Sequence, residues 1–203
     1  MTINLFGLKY DRGIIRKSFM RALDFETDEQ LLLLKKNLSE GLQLFKKVFG
    51  YSSKSFIAPS YVWNSDIEEV LYNEGVHYLQ GIAYQYIPKI GNKKLKRKWH
   101  YTGQRNDYGQ LYLVRNAFFE PSITKQKTIE ETLKRIEIAF RWKKPAIIGA
   151  HRLNFIGYIN QQNRDENLKL FKDLLQVIIQ KWPDVEFMTS DMLGDVINNK
   201  EKG

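Results

Sequence analysis

The chain has 203 residues, of which 43% are hydrophobic, and this composition predicts one globular domain over residues 1–203 rather than a disordered chain. It carries a formal net charge of +9 and no cysteine, which excludes disulfides and thiolate metal sites. No apolar stretch approaches the roughly 20 residues of a membrane-spanning helix, and residues 1–5 lack signal-peptide character, so a cytoplasmic location is the default expectation.

The first predicted element is a long amphipathic helix. Apolar residues recur with helical spacing over residues 28–49. Thr27 is placed to cap the amino end of this helix, and Gly50 to end it. Residues 1–25, which precede it, are expected to form helix and connector without an opening strand.

Strands and helices alternate along most of the remaining chain. A strand over 55–59 leads into a helix that starts with an expected capping box at Ser65–Glu68. The alternation with short connections predicts an α/β fold with a mainly parallel sheet and outer helices. Five strands are too few for a closed eight-stranded barrel, so the barrel is expected to be incomplete or distorted. The other predicted strands are 75–80, 111–115, 146–150 and 185–188, and the other predicted helices are 128–142, 163–182 and 191–198.

One region, residues 83–110, is predicted to be irregular, and it contains the basic run 93–101. The lysines and the arginine of this run could neutralise phosphates while its aromatic residues stack on bases. The alternative, which the pattern favours, is a solvated loop that keeps the protein soluble. No nucleic-acid-binding motif accompanies the charge, so a nucleic acid is disfavoured as a partner.

Residues at the ends of the predicted strands form the candidate site, because parallel strands all finish at the same side of a sheet. Aromatic rings beside amides, hydroxyls and carboxylates suit a carbohydrate. The alternative is that the aromatics belong to the core, that the Ser190–Asp191 pair caps a helix, and that His151 caps a hydrogen-bond network. His77, His100 and His151 lie too far apart in sequence to indicate a zinc site. The residues of the candidate site are Tyr61, Trp63, Asn64, Gly81, Asn116, His151, Arg152, Ser190 and Asp191.

Four segments resemble the polysaccharide deacetylase-like proteins of the glycoside hydrolase/deacetylase (β/α)-barrel superfamily. They are Ser55–Asn64, Gly75–Gly81, Lys144–Phe155 and Trp182–Gly194. The resemblance implies a distorted (β/α) barrel that removes acetyl groups from glycans with a divalent metal held by one aspartate and two histidines. It implies that His151 is the general acid and that Phe56–Tyr61 forms part of the substrate groove. Among the residues at the strand ends, the candidates for substrate binding are Tyr61, Trp63, Asn64, Asn116, Arg152 and Asp191.

The sequence also departs from the family pattern. Ile57 stands where an arginine is common, Arg152 follows His151 where an aspartate is common, and no segment supplies the metal-binding aspartates and paired histidines. The chain is therefore expected to be the C-terminal part of such a barrel or a divergent member, with little or no deacetylase activity of its own. The alternative function is a non-catalytic module that binds a glycan or an anionic partner through loop 93–101. An exposed sheet edge would permit an oligomer.

Overall fold

The computed structural model describes residues 20–91, 95–125 and 127–200, with only the backbone at Lys200. The described residues form two compact units, one that contains residues 20–113 with their gap and 190–200, and one that contains the described residues between 114 and 189. The predicted mixed α/β class and mainly parallel sheet are confirmed, and the described residues form no closed barrel. The assignment of residues 1–203 to a single domain stays a prediction.

The first unit begins with helix α1, Asp28–Phe49, whose ends are those predicted from the sequence. The Thr27 side chain accepts a hydrogen bond from the backbone N–H of Gln30, and Gly50 ends the helix with a left-handed φ of 78°. Half-buried leucines at 31, 34, 38 and 42 pack one face of α1 on the core of this unit. Periodicity and local caps thus determine the helix, as expected.

The first unit contains a three-stranded sheet in the order β1-β2-β5. These strands are Ser55–Ile57, Tyr78–Gly81 and Leu111–Val114, the last of which reaches the first residue of the second unit. β1 and β2 are parallel, with Ser55 opposite Tyr78, and helix α2, Ser65–Asn73, connects them. Helix α6, Ser190–Lys200, packs on β2.

The amino end of α2 differs from the predicted capping box. Asn64 is the cap, and its Oδ1 accepts a hydrogen bond from the N–H of Ile67 at 3.2 Å. Glu68 does not reach back to the helix start, because its carboxylate turns into the core, where the residue is only 3% exposed. A residue that was expected to cap a helix is therefore part of a buried polar cluster.

The region 83–110 is not wholly irregular, because it contains an antiparallel pair of strands. β3, Tyr84–Ile87, pairs with β4, Lys96–Trp99. The basic composition of β4 hides the strand pattern, since all four of its residues are exposed. Lys93 and Lys94 of the predicted basic run lie outside the described residues, as do residues 1–19 of the predicted amino-terminal helix and connector.

The second unit is built on two short parallel strands covered by helices. β6, Ala117–Phe118, pairs with β7, Ile148–Gly149. The core contains Phe119, Ile136, Leu174 and Ile178, which are all buried. Thr132 donates from its hydroxyl to the carbonyl of Phe118 at 2.7 Å and joins a helix to the sheet. The helices are α3, Pro121–Thr124, α4, Lys127–Arg141, and α5, Gln161–Lys181.

Two strand predictions in this part of the chain need correction. The predicted strand 111–115 ends at Val114, and a separate strand, β6, begins at Ala117. The predicted strand 185–188 is absent from the described residues, because the N–H of Val185 donates to the carbonyl of Trp182 in a turn. None of the helices that the structure describes is long and apolar enough to cross a bilayer.

Candidate functional site

His151 comes two residues after the end of strand β7, and Glu120 comes two residues after the end of the neighbouring strand β6. Because β6 and β7 are parallel, both side chains lie at the carboxyl edge of the pair. The Nδ1 of His151 lies 2.7 Å from Oε1 of Glu120, and the backbone N–H of His151 donates to the same oxygen at 3.2 Å. The rule of converging strand ends therefore holds for His151, with a partner that the sequence prediction missed.

Asn154 holds the carboxylate of Glu120 in place. This residue is 1% exposed, and its Nδ2 donates to Oε2 of Glu120 at 2.8 Å and to the carbonyl of His151 at 2.9 Å. Its Oδ1 accepts a hydrogen bond from the N–H of Ser122 at 3.1 Å. One buried amide thus connects the turn after β6 to the turn after β7.

Two asparagines of helix α5 donate further hydrogen bonds to the turns that hold Glu120 and His151. Asn167 is 6% exposed and donates to the carbonyl of Asn154 at 2.8 Å and to the hydroxyl of Ser122 at 3.0 Å. Asn163, one turn earlier, donates to the carbonyls of Leu153 and Ile156 at 3.1 Å each. Supporting hydrogen bonds of this kind fix the orientation of a reactive imidazole.

The His151–Glu120 pair is open to solvent on one side. The side chain of His151 is 72% exposed and that of Glu120 is 15% exposed. Glu120 accepts the Nδ1–H of the imidazole, and among the described residues no group bonds the Nε2 of His151. An imidazole oriented through one nitrogen and open at the other can take up or release a proton at a substrate.

The other predicted site residues of the second unit, Arg152 and Asn116, form no hydrogen bond with the carboxylate of Glu120. Arg152 is exposed at the start of a 3₁₀ turn, Arg152–Phe155. Asn116 precedes β6 and so lies at the opposite end of the strand pair from His151. Its amide bonds backbone, donating to the carbonyl of Pro145 at 2.9 Å and accepting from the N–H of Ile147 at 2.8 Å. This geometry gives Asn116 a structural role that the sequence prediction did not anticipate.

Six of the nine predicted residues belong to the first unit: Tyr61, Trp63, Asn64, Gly81, Ser190 and Asp191. Trp63 is 3% exposed in the hydrophobic core, and Asn64 is the buried cap of α2. Asp191 is in the first turn of α6, as expected for a residue near a helix start. Because the nine strand-end residues are distributed over two units, their common pocket stays a prediction.

The turn after β1 is strained. Ser60 and Tyr61 have φ values of 53° and 58°, a left-handed conformation that only glycine adopts without cost. The Ser60 hydroxyl donates to the carbonyl of Met20 at 2.7 Å, and Tyr61 packs against the core. Two successive strained residues cost about 1–3 kcal/mol each, and such strain is found mostly where a segment has a function. The groove segment implied by the family resemblance ends in this turn.

The first unit also contains a closed polar cluster around Glu68. The carboxylate accepts hydrogen bonds from Trp63 Nε1 at 2.8 Å, from the hydroxyl of Tyr112 at 2.7 Å and from Asn106 Nδ2 at 3.0 Å. Burial raises the pKa of the Tyr112 hydroxyl, and the nearby Glu68 carboxylate raises it further. The phenol therefore stays protonated and donates to the carboxylate.

His100 stacks on Tyr112, with ring centroids 3.8 Å apart, and is 6% exposed. Its Nε2 lies 2.6 Å from Oε1 of Gln85, whose own amide nitrogen donates to the carbonyl of Trp63. Its Nδ1 lies 3.2 Å from Oε1 of Gln104, so both ring nitrogens face glutamine oxygens. Burial lowers the pKa of His100, and the charge of Lys98 contributes to the same direction.

The divalent metal implied by the family resemblance has no fitting ligand set here. Within residues 20–91, 95–125 and 127–200, no three His, Asp or Glu side chains are grouped so that they could hold an ion. His151 and Glu120 form a pair without a third ligand of this kind.

Comparison of the chain with protein-family models, with curated proteins and with solved structures finds no match.

Proposed function

We propose that the second unit carries the general-acid part of a glycan deacetylase site in an incomplete (β/α) barrel. The observation that supports this most directly is the His151–Glu120 contact of 2.7 Å at the carboxyl edge of a parallel strand pair. That edge is where α/β folds hold their reacting residues. Glycans of the acetylated type are the proposed substrate class, as the resemblance of the four segments implies.

The proposed step is a proton transfer. After water has added to the acetyl carbon, the bond between that carbon and the sugar nitrogen or oxygen breaks, and the leaving atom takes the electron pair and needs a proton. The imidazolium of His151 gives that proton from Nε2 and becomes neutral imidazole, while Nδ1–H stays bonded to Glu120. The Glu120 carboxylate stabilises the charged ring and holds its orientation, and Asn154 holds the carboxylate.

The departures from the family pattern limit the activity of this chain. The proposed acid has a structural basis, whereas the arginine expected at Ile57 and the aspartate expected at Arg152 are absent from the sequence. We therefore expect the purified chain to bind an acetylated glycan at His151 and to release little acetate. Metal-dependent release of acetate by the purified chain at a rate typical of enzymes would contradict this part of the proposal.

The binding test uses the three histidines as separate reporters. NMR spectra of the imidazole Cε1–H groups are recorded while N-acetylated chitotetraose is added, and the fully deacetylated tetramer serves as the matched control. We expect the signal of His151 to shift with the acetylated sugar and to shift less with the control. The exposed His77 and the buried His100 should not respond.

The proposal fails if the His151 signal is unchanged by N-acetylated chitotetraose and by an acetylated xylotetraose, or if His77 shifts equally. Glu120→Gln is the variant that separates orientation from mere exposure. It leaves His151 in the chain but removes the charged acceptor at Nδ1. We expect it to weaken the response of His151 to the acetylated sugar by several-fold.

A further inference from the structure

The positive charge of the chain is concentrated in one segment. Residues 75–106 contain no Asp or Glu, and they hold seven lysines and arginines, which account for seven of the nine net positive charges. The hairpin of β3 and β4 lies within this segment. A local field of a single sign attracts anionic partners, and the rest of the sequence is nearly balanced in charge.

One face of the hairpin combines aromatic rings with a guanidinium. Tyr84 lies opposite Trp99, and Tyr86 lies opposite Arg97, so these four side chains share a face, which we call the hairpin face. The guanidinium carbon of Arg97 is 5.3 Å from the ring centre of Tyr84 and 5.6 Å from that of Tyr86. The rings hold the guanidinium in place by cation–π contact.

The outer strand of the hairpin is open. β3 contacts Val62 on one side, where the N–H of Trp63 donates to the carbonyl of Tyr86 at 3.1 Å, and β4 on the other. All residues of β4 are exposed, and Trp99 is 67% exposed. Across the described part of the chain, no carboxylate lies within ion-pair distance of the β4 cations Lys96, Arg97 and Lys98.

Protection of a strand edge explains only part of this pattern. Lysines on an edge strand prevent pairing with other chains, and Lys96 and Lys98 can serve that purpose. An exposed tryptophan has the opposite effect, because large apolar groups on an open edge promote association. Trp99 beside the stacked Arg97 therefore indicates a binding surface.

We propose that the hairpin face binds an acidic polysaccharide whose sugar units carry carboxylates. The indole of Trp99 provides a flat apolar surface for the C–H face of a pyranose ring. The guanidinium of Arg97 matches a carboxylate in charge and in its forked hydrogen-bond geometry. The exposed ring of Tyr101, two residues further along, extends the surface beyond β4. This binding needs no deacetylation and stands independently of the function proposed above.

A polyuronate fits the hairpin face better than a single-stranded nucleic acid does. Stacking of successive bases needs successive rings with accessible faces. Arg97 already lies over the rings of both Tyr84 and Tyr86, so of the four rings only those of Trp99 and Tyr101 are largely exposed. A ring beside a fixed cation matches one acidic sugar unit.

The test is calorimetric titration of the full chain with a polygalacturonate oligomer that carries no acetyl groups. We expect binding that weakens as salt is raised, and a loss of affinity of about tenfold or more in Trp99→Ala and in Arg97→Gln. Lys172→Gln is the matched control, because it removes one exposed cation outside the basic segment and should leave the affinity unchanged. Neutral dextran of equal length should not bind.

Three results would overturn the proposal. Absence of polygalacturonate binding at low salt would do so directly. Undiminished affinity in Trp99→Ala would show that charge alone attracts the polymer. Tighter binding of a dT20 oligonucleotide, lost in the same two variants, would identify a nucleic-acid surface. Circular dichroism of each variant establishes that it is folded, and the use of an unacetylated polymer separates this result from any failure of the deacetylase proposal.

Discussion

Two glutamates of this protein each accept three hydrogen bonds, and they differ in their surroundings. Glu68 is 3% exposed inside the first unit, and the imidazole of His100 near it is 6% exposed. Glu120 lies at a strand edge of the second unit, and the imidazole it contacts, that of His151, is 72% exposed. The same two functional groups thus occur once in a closed cluster and once in an open pair.

The difference indicates what each arrangement can do. The carboxylate of Glu68 accepts hydrogen bonds from the side chains around it. Both ring nitrogens of His100 lie near glutamine oxygens. A closed cluster of this kind stabilises one packing of the core but offers no atom to a substrate. In the open pair Nδ1 of His151 contacts Glu120 and no described residue bonds Nε2, so Nε2 can exchange a proton with a bound molecule.

The largest effect is expected for Glu68→Ala. The substitution leaves the buried donors of Trp63 and Tyr112 without an acceptor, and we expect the free energy of unfolding to fall by about 3 kcal/mol. The matched control is Glu69→Ala on the same helix, whose carboxylate is 45% exposed and pairs with Lys35. We expect that variant to lose less than about 1 kcal/mol. Urea unfolding followed by circular dichroism measures the free energy of unfolding of both variants. Equal losses would refute the stabilising role of the buried Glu68 carboxylate.

The sequence predicts elements whose signals are local. Helix α1 was predicted correctly at both ends, because its apolar spacing and the caps at Thr27 and Gly50 lie within the segment itself. Strand β4 was missed, because pairing with β3 determines it, whereas its own composition indicates a solvated loop. The burial of Glu68 was not predicted, because nothing in the sequence distinguishes this glutamate from an exposed charged residue on a short helix.

The candidate site shows the same limit. His151 was identified because an apolar run ends at it, and the run Ala117–Phe119 ends in the same way at Glu120. Continuing the preceding strand to residue 115 hid that second run, and the structure places Asn116 between the end of β5 and the start of β6. The contact of His151 with Glu120 depends on the register of β6 with β7, which no local pattern specifies.

A smaller effect is expected from protonation of the closed cluster. Burial lowers the pKa of His100 below its ordinary value of 6.5. At a pH between the lowered pKa and 6.5, this histidine is therefore protonated in the unfolded chain but not in the folded chain. The contribution of His100 to the free energy of unfolding should therefore be constant above pH 6.5 and decrease as the pH falls below that value.

This pH dependence is measured by urea unfolding at pH 7.5 and pH 5.5. We expect His100→Asn to unfold more easily at pH 7.5 but to lose less stability on acidification than the unsubstituted chain does. His77→Asn, at an exposed position, should keep the full loss. An undiminished loss in His100→Asn would assign the acid sensitivity to other groups.

The smallest effect on stability is expected for the open pair. Because His151 is largely exposed, Glu120→Gln should lower the free energy of unfolding by less than about 1 kcal/mol. The amide nitrogen of the new glutamine cannot accept a hydrogen bond, so either the imidazole or Asn154 loses its acceptor. We expect the His151 Cε1–H signal to change in line width while the His100 signal does not. A stability loss as large as that of Glu68→Ala would mean that the His151–Glu120 pair also stabilises the fold. The exposure of an imidazole would then not distinguish a reactive histidine from a structural one in this protein.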